Sequence, residues 1–124
     1  MNERKIQKTN KPHTNLFAWQ KSMDLVVTLY KVTSQFPKEE IYGLVAQIRR
    51  AAVSAPSNIA EGACGRSQDV FKNHLSIAIG SLNELLTQTE IAFRLAYIPK
   101  NIHEQVATQL DECLALVYGL RKSL

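Results

Sequence analysis

The amino-acid sequence predicts an all-α protein, an antiparallel four-helix bundle with up-down-up-down topology. Four segments repeat apolar residues at spacings of three and four, which is the pattern of an amphipathic helix. No segment alternates apolar and polar residues with a period of two, so no strand is predicted. The connections between the segments are short, and short connections make consecutive helices antiparallel neighbours.

The length of 124 residues fits one domain with a single hydrophobic core. We expect a flexible basic arm at residues 1–14 and the helical bundle at residues 15–124. No apolar run approaches the roughly 20 residues that span a bilayer, and the N-terminus lacks the apolar core of a secretory signal. We therefore expect a cytoplasmic protein without membrane contact. Cys64 and Cys113 lack disulfide-framework or metal-site spacing and are expected to be reduced.

The first predicted helix ends at Phe36-Pro37, because the residue before a proline is disfavoured in the α region. Its apolar residues form two rows, which together cover more than one narrow face. One row consists of Leu16, Trp19, Met23, Val26 and Tyr30, and the other of Leu25, Leu29, Val32 and Phe36.

The second predicted helix begins at Glu39 or Gly43 and continues to Cys64. Pro56 lies inside it and removes one backbone hydrogen bond. Two helices, the second capped by Ser54, would also accommodate the proline. The apolar phase is unbroken, however, so we predict one helix with a kink at the proline. Its stripe is Leu44, Ile48, Ala51, Ala52, Ala55, Ile59 and Ala63.

Capping residues delimit the remaining helices. Gly62-Ala63-Cys64-Gly65 predicts a glycine C-cap for the second helix, and Ser67 is expected to cap the start of the third. Ile98-Pro99 is expected to end the third, and Asn101 with Glu104 predicts a capping box for the fourth. The third stripe is Phe71, Leu75, Ala78, Leu82, Leu85, Phe93 and Ala96; the fourth is Ile102, Val106, Leu110, Cys113, Val117, Leu120 and Leu124.

The sequence contains no phosphate-binding loop, dinucleotide fingerprint or nucleophile elbow. His13, His74 and His103 each lack a Glu three positions earlier, so the Glu-x-x-His pairs of di-iron bundles are missing. We expect solvated side chains for His13 and His103 and a boundary position for His74. The sequence therefore predicts no enzyme, no metal site and no cofactor.

The net charge of +4 is concentrated in the basic arm. Arg4, Lys5, Lys8 and Lys11 stand there against Glu3, which leaves the rest of the chain nearly neutral. Such a segment is either a solubilising, disordered tail or an arm that binds a polyanion.

A polar stripe follows the second helix at spacings of three and four: Gln47, Arg50, Ser54, Asn58 and Glu61. Arg50 and Glu61 lie about 16 Å apart along the axis and cannot pair with each other. A solvated face is one interpretation. Because the stripe is built of short Ser and Asn with isolated charges, we favour a structural polar stripe or an oligomer interface. Arg50 and Glu61 are then held by partners outside their own helix.

The sequence also predicts self-association. Small residues on the second helix (Ala51, Ala52, Ser54, Ala55, Ser57 and Ala60) permit close helix approach. Apolar residues occupy more than one face of the first and third helices, which leaves apolar surface that a four-helix monomer does not cover. These residues are Val27, Ile77, Ile79, Leu86 and Ile91.

Longer stretches resemble the four-helix-bundle proteins associated with intervening sequences of bacterial 23S ribosomal RNA genes. The resemblance covers about Phe17 to Ile98, and Ala63-Cys64-Gly65 departs from it as an apparent insertion. Its matching residues are Trp19-Gln20, Phe36-Pro37, Glu40, Tyr42-Gly43-Leu44, Gln47 to Gly62 (QIRRAAVSAPSNIAEG), Leu75, Ala78, Gly80-Ser81 and Glu84-Leu85.

The resemblance implies a bundle that assembles as a ring-like homopentamer. A similar protein, the accessory variability determinant of diversity-generating retroelements, binds nucleic acid and partners a reverse transcriptase. We therefore predict a non-enzymatic oligomer that associates with nucleic acid, in particular RNA. DNA and a protein such as a reverse transcriptase are further expected partners. The alternative is a protein-interaction scaffold without direct nucleic-acid contact. The predicted phosphate contacts are Arg4, Lys5, Lys8, Lys11, Arg49, Arg66 and Lys72.

Overall fold

The structure, a computed structural model, describes residues 12–124, which form a four-helix bundle and contain no strand. The α-helices are α1 (Phe17–Thr33), α2 (Leu44–Ala63), α3 (Gln68–Arg94) and α4 (Lys100–Lys122), and 3₁₀ helices cover Pro12–Asn15 and Lys38–Glu40. The all-α prediction is confirmed. None of these helices combines the length and apolar character needed to cross a membrane.

The fully buried leucines of α1 belong to one of its two predicted apolar rows. Leu25 and Leu29 are fully buried, whereas Met23 and Tyr30 of the other row are exposed. The helix ends at Thr33, before Phe36-Pro37, where the Thr33 hydroxyl donates to the Leu29 carbonyl at 2.7 Å. Leu16, Trp19 and Val26 of that row are partly buried against the core, so Met23 and Tyr30 are its residues that remain as apolar surface on the outside of the bundle.

The α2 helix is continuous through Pro56, as predicted, but its end differs from the prediction. Gly62 lies inside the last turn, the C-cap is Cys64, and no glycine of residues 12–124 has a positive φ. The expected glycine C-cap is wrong. A Cβ at Gly62 would lie 2.8 Å from His74 Cβ and 2.9 Å from Phe71 Cδ1. The glycine is needed because α3 crosses so close to α2.

Three predictions concern where α3 begins and ends and where α4 begins. One of them is confirmed and two are revised. Ser67 caps α3 as predicted, since its hydroxyl accepts from the Val70 N–H at 3.1 Å. The α3 helix ends at Arg94, before Ile98-Pro99, because Ala96 adopts a left-handed conformation (φ 63°) and closes a Schellman motif.

The capping box predicted from Asn101 and Glu104 is wrong. The α4 helix begins directly after Pro99, whose carbonyl accepts the His103 N–H at 3.0 Å. Asn101 is consequently already inside the first helical turn and cannot serve as the cap.

We name the two ends of the bundle by the connections that lie there. The α2–α3 end contains the connection between α2 and α3, and the α3–α4 end contains the connection between α3 and α4. At the α2–α3 end, Gly62 packs on α3, and the Arg121 side chain near the end of α4 donates to Ser76 Oγ of α3 at 3.1 Å. At the α3–α4 end, the Arg49 side chain of α2 reaches the last turn of α1. A further contact lies along the side of the bundle, where Lys21 of α1 is 3.7 Å from Glu112 of α4.

The α3–α4 end is held by a carboxylate. Glu40 Oε1 accepts the Leu44 N–H at 3.1 Å, and Glu40 Oε2 accepts the Tyr97 hydroxyl at 2.8 Å. This hydrogen bond, then burial and the charges of Glu40 and Glu39, raise the pKa of Tyr97. A Cβ at Gly43 would lie 2.9 Å from Glu40 Oε1, so a larger residue there would displace the carboxylate that accepts the Leu44 N–H.

Candidate functional site

The first described residues lie at the α2–α3 end. His13 Nδ1 is 3.6 Å from Cys64 Sγ, and the His13 ring meets the Trp19 ring edge-on at 5.0 Å between centroids. The chain therefore enters the described part of the structure beside the end of α2. The predicted phosphate contacts of the arm, Arg4, Lys5, Lys8 and Lys11, lie outside the described residues.

Two of the predicted cations lie at this same end. Arg66 is exposed in the connection between α2 and α3, and Lys72 is half-buried in the second turn of α3. Ser76 links Lys72 to α4, because its hydroxyl donates to the Lys72 carbonyl at 3.0 Å and accepts from Arg121. The structure thus places cations from α3, α4 and the α2–α3 connection around one end.

Sequence reasoning missed the contribution of α4 to this end. The Arg121 guanidinium lies 5.3 Å from the centre of the Tyr118 ring, and Lys122 is the last residue of the helix. Two basic residues in the last turn of the fourth predicted helix were the available signal. Their position beside the start of α3 requires the helix arrangement.

Arg49 lies at the opposite end of α2. Its Nε donates to Thr33 Oγ1 at 2.9 Å, its Nη2 donates to the Tyr30 carbonyl at 3.2 Å, and its guanidinium covers the Tyr30 ring at 4.5 Å. These contacts join α2 to the carbonyl end of α1. A phosphate contact by Arg49 stays a prediction, and the structure does not bring this residue together with Arg66 and Lys72.

The C-terminal part of the polar stripe, from Ser54 to Glu61, contacts α3. Ser54 Oγ accepts from Ser81 Oγ at 2.8 Å and from Asn58 Nδ2 at 3.1 Å. Asn58 Oδ1 lies 3.0 Å from His74 Nδ1, and Glu61 Oε2 lies 3.4 Å from the same nitrogen. The Glu61 side chain is 72% exposed, so solvent weakens its attraction to the imidazole.

The N-terminal part of the polar stripe, from Gln47 to Ser54, borders an open groove of about 380 Å³ between α2 and α3. Gln47, Arg50 and Ser54 line one side, and Glu84 and Gln88 line the other. Arg50 has no ion pair within residues 12–124. The stripe is therefore a mixture of bonds within the bundle and polar groups that face solvent.

Exposed apolar side chains form a separate surface on α1 and α2. Met23, Val27 and Tyr30 lie on one face of α1, and Val53 on α2 is also exposed. Trp19, Met23 and Val53 line a groove of about 320 Å³ between the two helices. We call the residues Met23, Val27, Tyr30 and Val53 the apolar face.

The remaining chemistry of the described residues is limited. No group of three side chains among residues 12–124 is arranged to hold a metal ion. Burial raises the pKa of the Cys113 thiol to about 11, so this thiol stays protonated at neutral pH. Cys64 is exposed. His103 is not solvated as expected, because its ring stacks on Phe93 at 4.4 Å.

Comparisons with known proteins agree with this architecture. A solved structure from Bacteroides thetaiotaomicron, described as a protein with unknown function from the S23 ribosomal protein family, is 25% identical and has a TM-score of 0.79. The similarity covers 85% of this chain and 95% of that one. No curated protein matches the chain. The model of one family matches residues 14–119, and the chain therefore belongs to the family of 23S rRNA-intervening sequence proteins.

Proposed function

We propose that this protein is a non-enzymatic, self-associating bundle, with neighbouring helices antiparallel, that binds nucleic acid, in particular RNA, at its α2–α3 end. One observation carries the proposal: the chain enters at Pro12 beside the end where Arg66, Lys72, Arg121 and Lys122 lie. The eleven preceding residues contribute a net charge of +3. The basic segment is therefore attached to the bundle at the end that carries these cations.

The charge distribution supports this end as the contact surface. Residues 12–124 carry 11 Lys and Arg against 10 Asp and Glu, so the bundle as a whole attracts phosphates weakly. At the α2–α3 end Glu61 and Asp69 oppose the four cations, and the arm adds further positive charge. The family name, which refers to an rRNA gene, is consistent with RNA as the partner.

A salt titration tests the nucleic-acid contact. Each neutralised phosphate contributes about 0.7 to 0.9 to the slope of log affinity against log salt. A variant with Arg4, Lys5, Lys8 and Lys11 changed to Gln should lose roughly two to four units of that slope. Arg66→Gln should lose about one unit. Lys38→Gln, an exposed cation at the α3–α4 end, is the matched control and should leave the slope unchanged.

Absence of salt-dependent binding by the intact protein at low ionic strength would contradict the proposal. An arm variant that binds as well as the intact chain would remove the arm from the contact surface. Equal losses for Arg66→Gln and Lys38→Gln would show that binding does not prefer the α2–α3 end.

The apolar face supports self-association. Exposed apolar side chains that are contiguous on a small protein commonly mark an interface. Assembly as a ring needs two different complementary surfaces on each copy, and the exposed Ile77 and Ile91 of α3 provide a second one. The homopentamer implied by the family resemblance is the assembly that we propose.

Light scattering tests the assembly. Five chains of 13.9 kDa give about 70 kDa, and a mass near 14 kDa at micromolar concentration would contradict self-association. Val27→Glu should dissociate the assembly, because it places a charge in the apolar face. Gln105→Glu adds the same charge at an exposed position of α4 and should leave the mass unchanged.

A second candidate function is a protein-interaction scaffold. The Tyr42 side chain is 96% exposed next to the exposed Ile41, in a turn held by the Glu40 hydrogen bonds. An exposed tyrosine on such a turn is the kind of residue that anchors a protein partner. Two results together would replace the first candidate with the scaffold function. The intact protein would capture a reverse transcriptase but bind no nucleic acid, and Tyr42→Ala would abolish that capture.

A further inference from the structure

The end of α4 carries an ordered aromatic ring beside a cation. Tyr118 is 45% exposed, although the Arg121 guanidinium lies 5.3 Å from its ring centre. Ser76 on α3 accepts a hydrogen bond from Arg121 Nη1, which restrains the guanidinium. The tyrosine ring is therefore supported by a cation, and part of its surface is open to solvent.

A second exposed aromatic residue lies at the start of α1. Phe17, the first residue of α1, is 69% exposed and lies on the same helix face as Lys21, four residues later. Lys21 faces Glu112 of α4. Because α1 and α4 run in opposite directions, Phe17 lies one turn beyond that contact, beside the last turns of α4.

The end of α4 beside Tyr118 is open and carries two basic residues. Gly119 is exposed, and a Cβ placed there would meet no atom within 4 Å. Arg121 and Lys122 contribute two positive charges. The neighbouring carboxylate Glu112 is already paired with Lys21. We name Phe17, Tyr118, Gly119, Arg121 and Lys122 the α4-end surface.

We propose that the α4-end surface binds single-stranded nucleic acid, with bases stacked on Tyr118 and Phe17 and phosphates beside Arg121 and Lys122. This inference rests on the proposed function and specifies the form of its ligand. Aromatic side chains bind bases that are unstacked, whereas the base faces of a duplex are hidden. A surface with only cations would not distinguish the two forms in this way.

Fluorescence anisotropy with an oligouridylate of about 20 nucleotides, longer than the usual site on a small fold, tests the proposal. Oligodeoxyuridylate and an RNA duplex of equal length are the other probes. We expect tighter binding to either single strand than to the duplex. Tyr118→Leu should weaken single-strand binding about five- to tenfold and change duplex binding little. Phe17→Leu should give a smaller loss in the same direction.

The other exposed tyrosine provides the matched control. Tyr42→Leu removes a more exposed ring at the α3–α4 end and should leave all affinities unchanged. Tyr118→Phe keeps the aromatic face and should retain single-strand binding, which separates stacking from a folding defect. A preference for oligouridylate over oligodeoxyuridylate of the same length would identify a contact to the 2′-hydroxyl group, because these two probes differ in that group alone.

The outcomes separate the two proposals. Salt-dependent binding that is equal for single strands and duplex, and unaffected by Tyr118→Leu, would overturn the single-strand inference and leave the proposed function standing. Absence of salt-dependent binding to every probe would overturn both.

Discussion

The two ends of the bundle contain the same pair of side chains in different surroundings. At the α3–α4 end, Arg49 covers the Tyr30 ring and donates to the Tyr30 carbonyl. At the α2–α3 end, Arg121 lies beside the Tyr118 ring and donates to Ser76 Oγ. Both arginines join two helices, but Arg49 bonds a backbone carbonyl group of α1 and Arg121 bonds only a side-chain hydroxyl of α3.

The difference comes from the backbone around each arginine. Arg49 reaches a carbonyl group in the last turn of α1 from the neighbouring helix, that of Tyr30, which also accepts the Ser34 N–H at 3.2 Å. Arg121 belongs to the last turn of its own helix and reaches only a side-chain hydroxyl on α3. The comparison teaches that an Arg–Tyr contact has no fixed role, because the carbonyl groups nearby decide what the guanidinium binds.

The largest effect expected from this comparison concerns Glu40. Glu40→Ala leaves the Leu44 N–H and the Tyr97 hydroxyl without their acceptor, which should lower the free energy of unfolding by about 2 to 3 kcal/mol. Denaturation with urea measures the change. Glu39→Ala, an exposed neighbour, should cost less than about 0.5 kcal/mol. Equal costs would show that the α3–α4 end does not depend on this carboxylate.

The two arginines provide the second test. Arg49→Ala should lower the free energy of unfolding by about 1 to 2 kcal/mol, because Thr33 Oγ1 loses its donor and the Tyr30 carbonyl group loses one of its donors. Arg121→Ala should cost about 0.5 kcal/mol in the same denaturation experiment. In the salt titration the order reverses, since Arg121→Ala should remove about 0.7 to 0.9 from the slope, whereas Arg49→Ala should remove less, because Arg49 is already bonded to α1. If Arg121→Ala lowered the free energy of unfolding more than Arg49→Ala, the contrast between the two arginines would be refuted.

The smallest effect is expected for Glu61. Its carboxylate lies 3.4 Å from His74 Nδ1 but is mostly exposed, so Glu61→Ala should cost less than about 1 kcal/mol. Asn58→Ala should cost more in the same denaturation series, because it removes the bonds to Ser54 and His74. A larger loss for Glu61→Ala would restore the strong structural role that the sequence suggested for this residue.

Several local features were predictable from sequence because their causes are local. The Ser67 cap needs only a hydroxyl at the first residue before a helix, and the unbroken α2 needs only one apolar phase on both sides of Pro56. The capping box failed because a competing local signal, the carbonyl of Pro99, starts α4 two residues earlier. Pro99 was interpreted only as the end of the preceding helix, and its position as the residue before α4 was not predicted.

Functions of particular side chains were predictable only where no other helix was involved. The Gly62 glycine was interpreted as a cap, whereas its cause is the position of Phe71 and His74 on α3. Arg49 and Arg66 were equivalent cations in sequence, but Arg49 meets the carbonyl end of α1 and Arg66 is exposed. Such distinctions depend on groups that are distant along the chain.

The sequence by itself determined the all-α class, the four helices and the concentration of positive charge before Pro12. Periodicity and charge are properties of residues close together in the chain, so they can be read without a fold. Only the tertiary structure decided which apolar row of α1 is buried, which polar groups of α2 are bonded and which basic residues share an end. These properties arise where one helix packs on another, because burial and hydrogen bonding depend on the neighbour that each face meets.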